Sequence, residues 1–510
     1  MRIPIDALPT VPKLFLDFLE DSDRTRLFYS QGHSLDDIEA FARQRRELDS
    51  HHRERLTSVL ETQQKRWGLD TSPIEKLRRG AVAVVTGQQA GLFTGPMYSV
   101  LKGLTSVKVA RELESRGVEA VPVFWIASED HDREEIEWAG ILTKDSTLHR
   151  VQTQLGDGAE TPVGWLRFRP AIRDAIEECF RYLPASEFQD EVRCLLEEAY
   201  AAEASPVDAF ARMMGRLFRD VGLAMVDPLD SDLRSLSHDV LVDVADRIEQ
   251  VRSAVRERSR KLTEVGYPAQ VRVDENFTGL FTYRGGRRQA WVPGERIEAL
   301  ELSPNVLLRP LVQDSLFPTA AYVAGPAEVA YLAQAGSIYD CLGRLMPPVF
   351  PRITATLVEP SSARVMRKYD LSIEDVFKGV DALRTKVVGL GSEVHVFDEV
   401  RARLEDEIER LRPALEGVDQ TLGGALDNSA QKILHQVDSL RARFVKGESR
   451  RNEVLDRQLN ALTERLFPER KLQERVVNVV SFLARYGLNL VPMMDARMEL
   501  DGSFHQIVEL

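Results

Sequence analysis

Val82-Ala-Val-Val-Thr-Gly-Gln-Gln-Ala-Gly-Leu-Phe-Thr-Gly-Pro96 and Pro122-Val-Phe-Trp-Ile-Ala-Ser-Glu-Asp-His-Asp132 flank one helical segment, and their reading decides the fold. The first is an apolar run, a Gly-rich loop and a Pro suited to the first turn of a helix. The second is an apolar run ending in Glu129, Asp130, His131 and Asp132. Ala81–Val85 and Val121–Ile126 are continuous apolar runs, the pattern of strands buried on both faces. Between them Met97, Leu101, Leu104, Val107 and Ala110 recur at helical spacing. The spacing predicts a strand–loop–helix–strand unit over residues 80–126. Such units cross over right-handed and bring both strand ends to one edge.

The same pattern continues outward. Residues 222–227 read as another central strand, 321–325 as a further one, and 349–358 as the last of the region. Helices are expected near 237–262 and 328–345, and a hairpin around Arg284-Gly-Gly-Arg287. Residues 34–66 read as helix, with Ser34 and Asp37 resembling a capping box. Residues 133–220, mostly charged helix, and 265–300 read as insertions. Alternating strands and helices imply an α/β core with a mostly parallel sheet over 1–370. Beyond Leu371 the character changes. Leu404, Ile408, Leu411, Leu415, Val418 and Leu422 alternate in steps of four and three, and Leu455, Leu459, Leu462 and Leu466 repeat this amid charged residues. That predicts an antiparallel helical coiled coil over 371–470, broken at Gly423-Gly424 and kinked at Pro413. Residues 471–510 regain apolar character and are expected to return to the core.

The chain has 510 residues, 43% hydrophobic, enough for more than one core. Its net charge of −13 argues against a general nucleic-acid or membrane-surface binder. Three cysteines, none in a CxxC pair, fit neither a disulfide framework nor a Cys-rich zinc site and point to a reducing cytoplasm. The start, Met1-Arg-Ile-Pro-Ile-Asp, does not read as a signal peptide, and no apolar run is long enough for a spanning helix.

Chemistry is expected at the strand ends. In the loop, Gly87, Gly91 and Gly95 allow close ligand approach, and Thr86, Gln88, Gln89 and Thr94 add neutral polar groups. The helix start beyond Pro96 offers N–H groups to an anion. Lys102 lies further along that helix. The loop is neither a Walker A nor a GxGxxG motif, and the alternative is a tight turn built for geometry alone. Ser128-Glu-Asp-His-Asp132 places packed carboxylates beside an imidazole, a set suited to proton transfer, to Mg²⁺ or to a substrate amine; a helix cap is the alternative. Gly325 and Glu328, at another strand-to-helix turn, and Arg309, a candidate carboxylate clamp, complete the set, with Asp227 a lesser candidate. Spacing reveals no metal-ligand set, zinc included. Buried, inert thiols are expected for Cys179, Cys194 and Cys341.

Thr86 to Pro96, Pro122 to Asp132, and Arg309-Pro with Phe317-Pro-Thr…Tyr-Val-Ala-Gly-Pro-Ala-Glu328 together resemble the BshC family of bacillithiol biosynthesis. Phe15-Leu-Asp-Phe-Leu19 and Glu474-Arg475…Asn478 also look similar, so the resemblance spans essentially the whole chain. One departure is Gly325-Pro-Ala-Glu328, where Gly-Pro-Gly-Glu is expected. The resemblance implies a Rossmann-like core with inserted connecting segments and a carboxy-terminal coiled coil that forms a homodimer. It implies a cytoplasmic ligase joining the carboxyl of L-cysteine to the amine of glucosaminyl-malate. ATP and Mg²⁺ are expected by analogy with nucleotide-binding folds, although the HxGH and KMSKS signatures are absent. On this reading the 86–96 loop binds anionic groups, and the Glu129–Asp132 cluster orients the cysteine ammonium and deprotonates the amine. The competing readings are a nucleotidyltransferase or sugar-nucleotide enzyme, and a non-catalytic ligand-binding coiled-coil protein.

Overall fold

The computed structural model describes residues 1–45, 48–156, 158, 160–295, 302–389, 394–451 and 453–510. The chain divides into two compact units. The first comprises residues 1–144, 148–356 and 473–508, and the second residues 145–147, 357–472 and 509–510.

The first unit is built on a parallel sheet of five strands: β1 (Val82–Gln88), β2 (Ala120–Ile126), β3 (Ala224–Val226), β4 (Thr319–Ala324) and β5 (Val349–Pro351). Their order is β5-β4-β1-β2-β3, all neighbours parallel. β2 and β4 are buried along their whole length, which explains why they read as unbroken apolar runs. The helix α1 (Tyr98–Ser115) crosses from β1 to β2. The helix α2 (Pro326–Cys341) follows β4, begun by Pro326 and by a Gly325 N–H bonded to the Glu328 carboxylate at 2.8 Å. The chain fills β1, β2 and β3 outward and then returns to place β4 on the other side of β1. That reversal leaves a crevice beyond the carboxyl ends of β1 and β4, where open α/β sheets bind ligands.

Several local expectations shift. Residues 34–66 form two helices, Leu35–Gln44 and Ser50–Trp67, and the Ser34–Asp37 capping box is present. The strand at 224–226 lies on the edge of the sheet, not at its centre. The 349–358 run divides: Val349–Pro351 stays in the main sheet, while Thr354–Val358 joins a second sheet with Phe504–Glu509 and Arg2–Pro4. Residues 133–220 hold a hairpin, Trp138–Leu142 with Leu148–Gln152, besides helices Ile172–Tyr182, Gln189–Ala199 and Pro206–Leu217. The helix expected at 237–262 is two, Ser231–Asp246 and Ile248–Glu264. The hairpin around 284–287 forms from Leu280–Arg284 and Arg287–Ala290; residues 296–300 of that insertion lie outside the described residues.

In the second unit Val394–Glu409 and Leu422–Arg451 run antiparallel. Asp398 pairs with Arg441 at 3.0 Å, Arg401 with Asp438 at 3.4 Å and Arg412 with Asp427 at 2.7 Å, one index rising as the other falls. Gly423-Gly424 does not break a helix; it lies in the first turn of Leu422–Arg451, where a Cβ at Gly423 would come within 2.8 Å of Glu416 Oε1. Pro413 does not kink a longer helix but starts a short one, Arg412–Glu416.

Candidate active site

The Gly-rich loop after β1 turns most of its polar groups into the protein. Phe93, Thr94 and Gly95 have φ of 53°, 76° and 70°. Gly91 packs so closely on Gly95 that a Cβ would lie 2.7 Å from its Cα. The Leu92 N–H donates to Ile136 O at 3.1 Å, Gly95 to Leu92 O at 2.9 Å, and Met97 to Val477 O at 2.9 Å. The Thr94 N–H donates to the Tyr200 hydroxyl at 3.1 Å. Asn478 Nδ2 donates to Leu92 O, Phe93 O and Gly95 O at 3.1, 3.0 and 2.7 Å. The expectation that this loop cradles an anion with its backbone is therefore corrected for Gly91, Thr94 and Gly95: they shape the turn. Thr86, fully buried, donates to Val323 O at 3.0 Å and ties β1 to β4.

Charged side chains, not loop N–H groups, gather at the strand ends. A cavity of about 220 Å³ beyond β1 and β4 is lined by Gly87, Gln88 and Gln89 on one side and by Gly325 to Glu328 on the other, with Tyr98, Lys102, Arg309, Arg352 and Arg475 around it. Lys102, only 1% exposed, pairs with Glu328 at 2.7 Å and also donates to Gly87 O. Burial pulls its ammonium below the usual range, with Glu328 opposing that fall. Lys102 and Glu328 satisfy each other, whereas the guanidinium groups of Arg309 and Arg475 make no ion pair or hydrogen bond among the described residues. Guanidinium groups left without a direct partner at the carboxyl end of a parallel sheet suit a carboxylate or a phosphate.

A second cavity, also about 220 Å³, shares Val306 and Arg309 with the first and is lined by Trp125, Glu129, Asp130, His131, Phe281 and Arg288. Here the two sequence motifs meet: Gln89 Nε2 donates to Asp130 Oδ2 at 2.8 Å. Burial pushes the Glu129 carboxyl up to about 7, against the pull of Arg288, Arg234 and Arg309. Asp130 is also raised by burial, but Arg288, Arg309 and Gln89 outweigh that and hold it below the usual range. Two adjacent carboxyls are thus shifted in opposite directions, Asp130 toward its anion and Glu129 toward exchange of a proton near neutrality. Arg288 comes from the hairpin at 280–290. Its Nη1 reaches Asp130 Oδ1 at 3.4 Å, while Nη2 donates to Pro304 O at 2.7 Å and Nε to Ser303 Oγ at 3.2 Å.

Not every expected residue joins this arrangement. Asp132 is exposed and lines neither cavity. Ser128 is fully buried behind the cluster, and Asp227 binds the Leu229 N–H at 3.1 Å away from both cavities. Residues the sequence reading missed are Arg288, Arg352, Arg475 and Tyr98. Arg352 directly follows β5, so the strand-end rule that singled out Glu129 applies to it equally. Clefts of about 960 and 620 Å³ exist elsewhere, but neither contains a residue of the two motifs. Among the described residues no group of three or more His, Cys, Asp or Glu is placed to hold a metal, and no helix is long and apolar enough to cross a membrane.

Residues 1–353 match the family described as "Bacillithiol biosynthesis BshC, N-terminal Rossmann-like domain", and residues 355–510 match "Bacillithiol biosynthesis BshC, C-terminal coiled-coil domain". The chain belongs to the BshC family. Relatives carry the provisional name cysteine ligase BshC. One from Salinibacter ruber is 35% identical over 99% of this chain and 98% of its own. One from Koribacter versatilis is 34% identical over 96% of both, and one from Solibacter usitatus 33% over 98% of both. The Rossmann-like core and coiled-coil domain expected of the family are the architecture found.

Proposed function

We propose that this chain is a cytoplasmic ligase that forms an amide between the carboxyl of L-cysteine and the amine of glucosaminyl-malate. The names of its BshC relatives support the reaction class. The observation that carries the reading is the pair of cavities joined at Arg309: one has unpaired guanidinium groups for an anionic substrate, the other holds Glu129 and Asp130 for an amine.

A free carboxylate does not yield to an amine unaided, because hydroxide is a poor leaving group. Bound Mg-ATP would supply the activation. The cavity cations suit its phosphates, and Glu135 in the same cavity is the carboxylate at hand for Mg²⁺, which would keep several waters and needs few protein ligands. Asp130, held anionic, orients the cysteine ammonium. Arg309, at the junction, faces both an incoming carboxylate and the phosphate side. Glu129, with its carboxyl at about 7, takes the proton that the amine nitrogen loses as the C–N bond forms and the C–O bond of the activated carboxyl breaks, the oxygen leaving with the phosphate it would have received from ATP. Self-association through the helical unit is part of the proposal: Val400, Leu411, Val418 and Leu440 are 43%, 53%, 81% and 58% exposed in the single chain.

The test is product formation by the purified protein from L-cysteine, glucosaminyl-malate and Mg-ATP, read by mass spectrometry, with light scattering for the dimer. Cells lacking the gene are expected to accumulate glucosaminyl-malate. An unchanged cellular thiol profile overturns the reading, and exchange of phosphate with a sugar nucleotide in place of amide formation favours a nucleotidyltransferase.

A further inference from the structure

The stretch Gln473–Asn478 enters the site from the far end of the chain. Arg475 lines the cation-rich cavity, Asn478 holds the Gly loop, and Glu474 meets Arg352. The last contact is buried throughout: Arg352 is 4% exposed and Glu474 1%. Glu474 Oε1 accepts from Arg352 Nη2 at 2.5 Å, while Oε2 accepts from Thr354 Oγ1 and the Ala355 N–H, both at 2.9 Å. Thr354 Oγ1 in turn lies 2.9 Å from His505 Nδ1, and His505 Nε2 lies 2.8 Å from Thr356 Oγ1. Arg352 Nη1 donates to Ile353 O at 2.8 Å. The guanidinium therefore retains N–H donors beyond those its partners use, on a group that lines the cavity. Its Nε sits against Gly325, where a Cβ would approach to 3.2 Å, so its plane is fixed at the start of α2.

We propose that Glu474 is a positioning residue, acting through Arg352 to aim that guanidinium at the carboxylate or phosphate of the substrate. This rests on the reading of the cavity as the anion subsite of the ligase. Glu474 touches no substrate. Both of its oxygens accept hydrogen bonds, one from Arg352 and the other from Thr354 and Ala355, so the carboxylate is a rigid anchor in a water-poor setting, where one charge-assisted hydrogen bond holds the guanidinium. Asn478, four residues on, latches the loop that continues from the Gly87–Gln89 wall, so one short segment anchors Arg352 and the turn beyond that wall.

The experiment measures binding of L-malate and of inorganic pyrophosphate by calorimetry, and KM and kcat where turnover is seen. The variants are Glu474→Asp, Thr354→Val and Arg352→Lys, which retain the buried charge pair, and Glu474→Gln, which does not. Thermal melts verify folding. Glu474→Asp is expected to raise the Kd of either anion about tenfold, the loss of one well-aimed charge-assisted hydrogen bond, with KM rising more than kcat falls. Thr354→Val shifts both in the same direction by less. In an Arg352→Lys background, Glu474→Asp adds little, because the guanidinium it aligns is gone. Unchanged anion affinity in folded Glu474→Asp and Thr354→Val proteins overturns the proposal, as does a full additional loss in the Arg352→Lys background. Should the ligase reading alone fail, the wild type makes no amide while anion affinity still responds to Glu474→Asp. Should this inference alone fail, amide forms and the affinity does not respond.

Discussion

Asn478 Nδ2 lies 2.7 Å from Gly95 O, joining residues 383 positions apart, and the same amide reaches Leu92 O and Phe93 O. Three carbonyls of the loop that looks like a ligand cradle are thus gathered by one buried side chain. Asn478→Ala leaves three carbonyls short of their donor, with an expected destabilisation of about 1–3 kcal/mol. Asn478→Asp is expected to be worse, because a carboxylate would face carbonyl oxygens. Urea denaturation of the variants checks both; a stability equal to wild type would rule out the latch.

Glu129 ties stability and catalysis to pH with opposite signs. Its carboxyl stands at about 7 in the fold, against 4.5 for the free group, because burial disfavours the anion. The unfolded chain therefore releases this proton first as pH rises, so the group's contribution to stability is complete below about 4.5 and is lost on the way to about 7. Glu129→Gln should leave stability near pH 4 unchanged and raise it at pH 8 by an amount of order 3 kcal/mol. Activity runs the other way: kcat/KM of the wild type rises through pH 7, and the Gln variant loses about 10²–10⁴-fold at its plateau. Melting curves and pH–rate profiles on the same proteins separate the two effects.

Arg309 is the wall common to both cavities, so its loss should affect both substrates. Arg309→Ala is expected to raise KM for L-cysteine and for glucosaminyl-malate together and to lower kcat/KM by about 10²-fold or more. Steady-state kinetics with each substrate varied in turn is the check. A rise confined to one KM would place Arg309 in a single subsite.

The parts of this fold legible in sequence were those that repeat locally. Apolar runs gave β1, β2 and β4, Ser34 with Asp37 gave a cap, and the steps of four and three gave the antiparallel helices. Where long-range packing decides, local signals misled. A glycine pair costs a helix only about 1 kcal/mol per residue, and the close approach of Glu416 makes Gly423 suitable inside one. The 349–358 run looked like one strand because strand pattern does not say which sheet each half joins. The site divided in the same way. Glu129, Asp130 and Gln89 sit at strand ends and were found there. Arg288 and Arg475 reach the site from a hairpin and from the chain's far end, so no local spacing marks them.

Arg288 links these points to a measurable outcome. Its Nη1 lies 3.4 Å from Asp130 Oδ1, and its charge is the largest influence opposing the effect of burial on both Glu129 and Asp130. Arg288→Gln removes that charge and leaves both carboxyls in the same buried setting. Each should then hold its proton to higher pH, and the rising limb of kcat/KM should move alkaline of its wild-type position. Activity lost at pH 7 would be partly recovered at pH 9, because enough hydroxide is present to ionise Glu129 again. A variant damaged only in packing would show a uniform loss at every pH, with the limb unmoved. A pH–rate profile of Arg288→Gln beside the wild type therefore decides whether this hairpin arginine tunes the acid–base pair or only supports the fold around it.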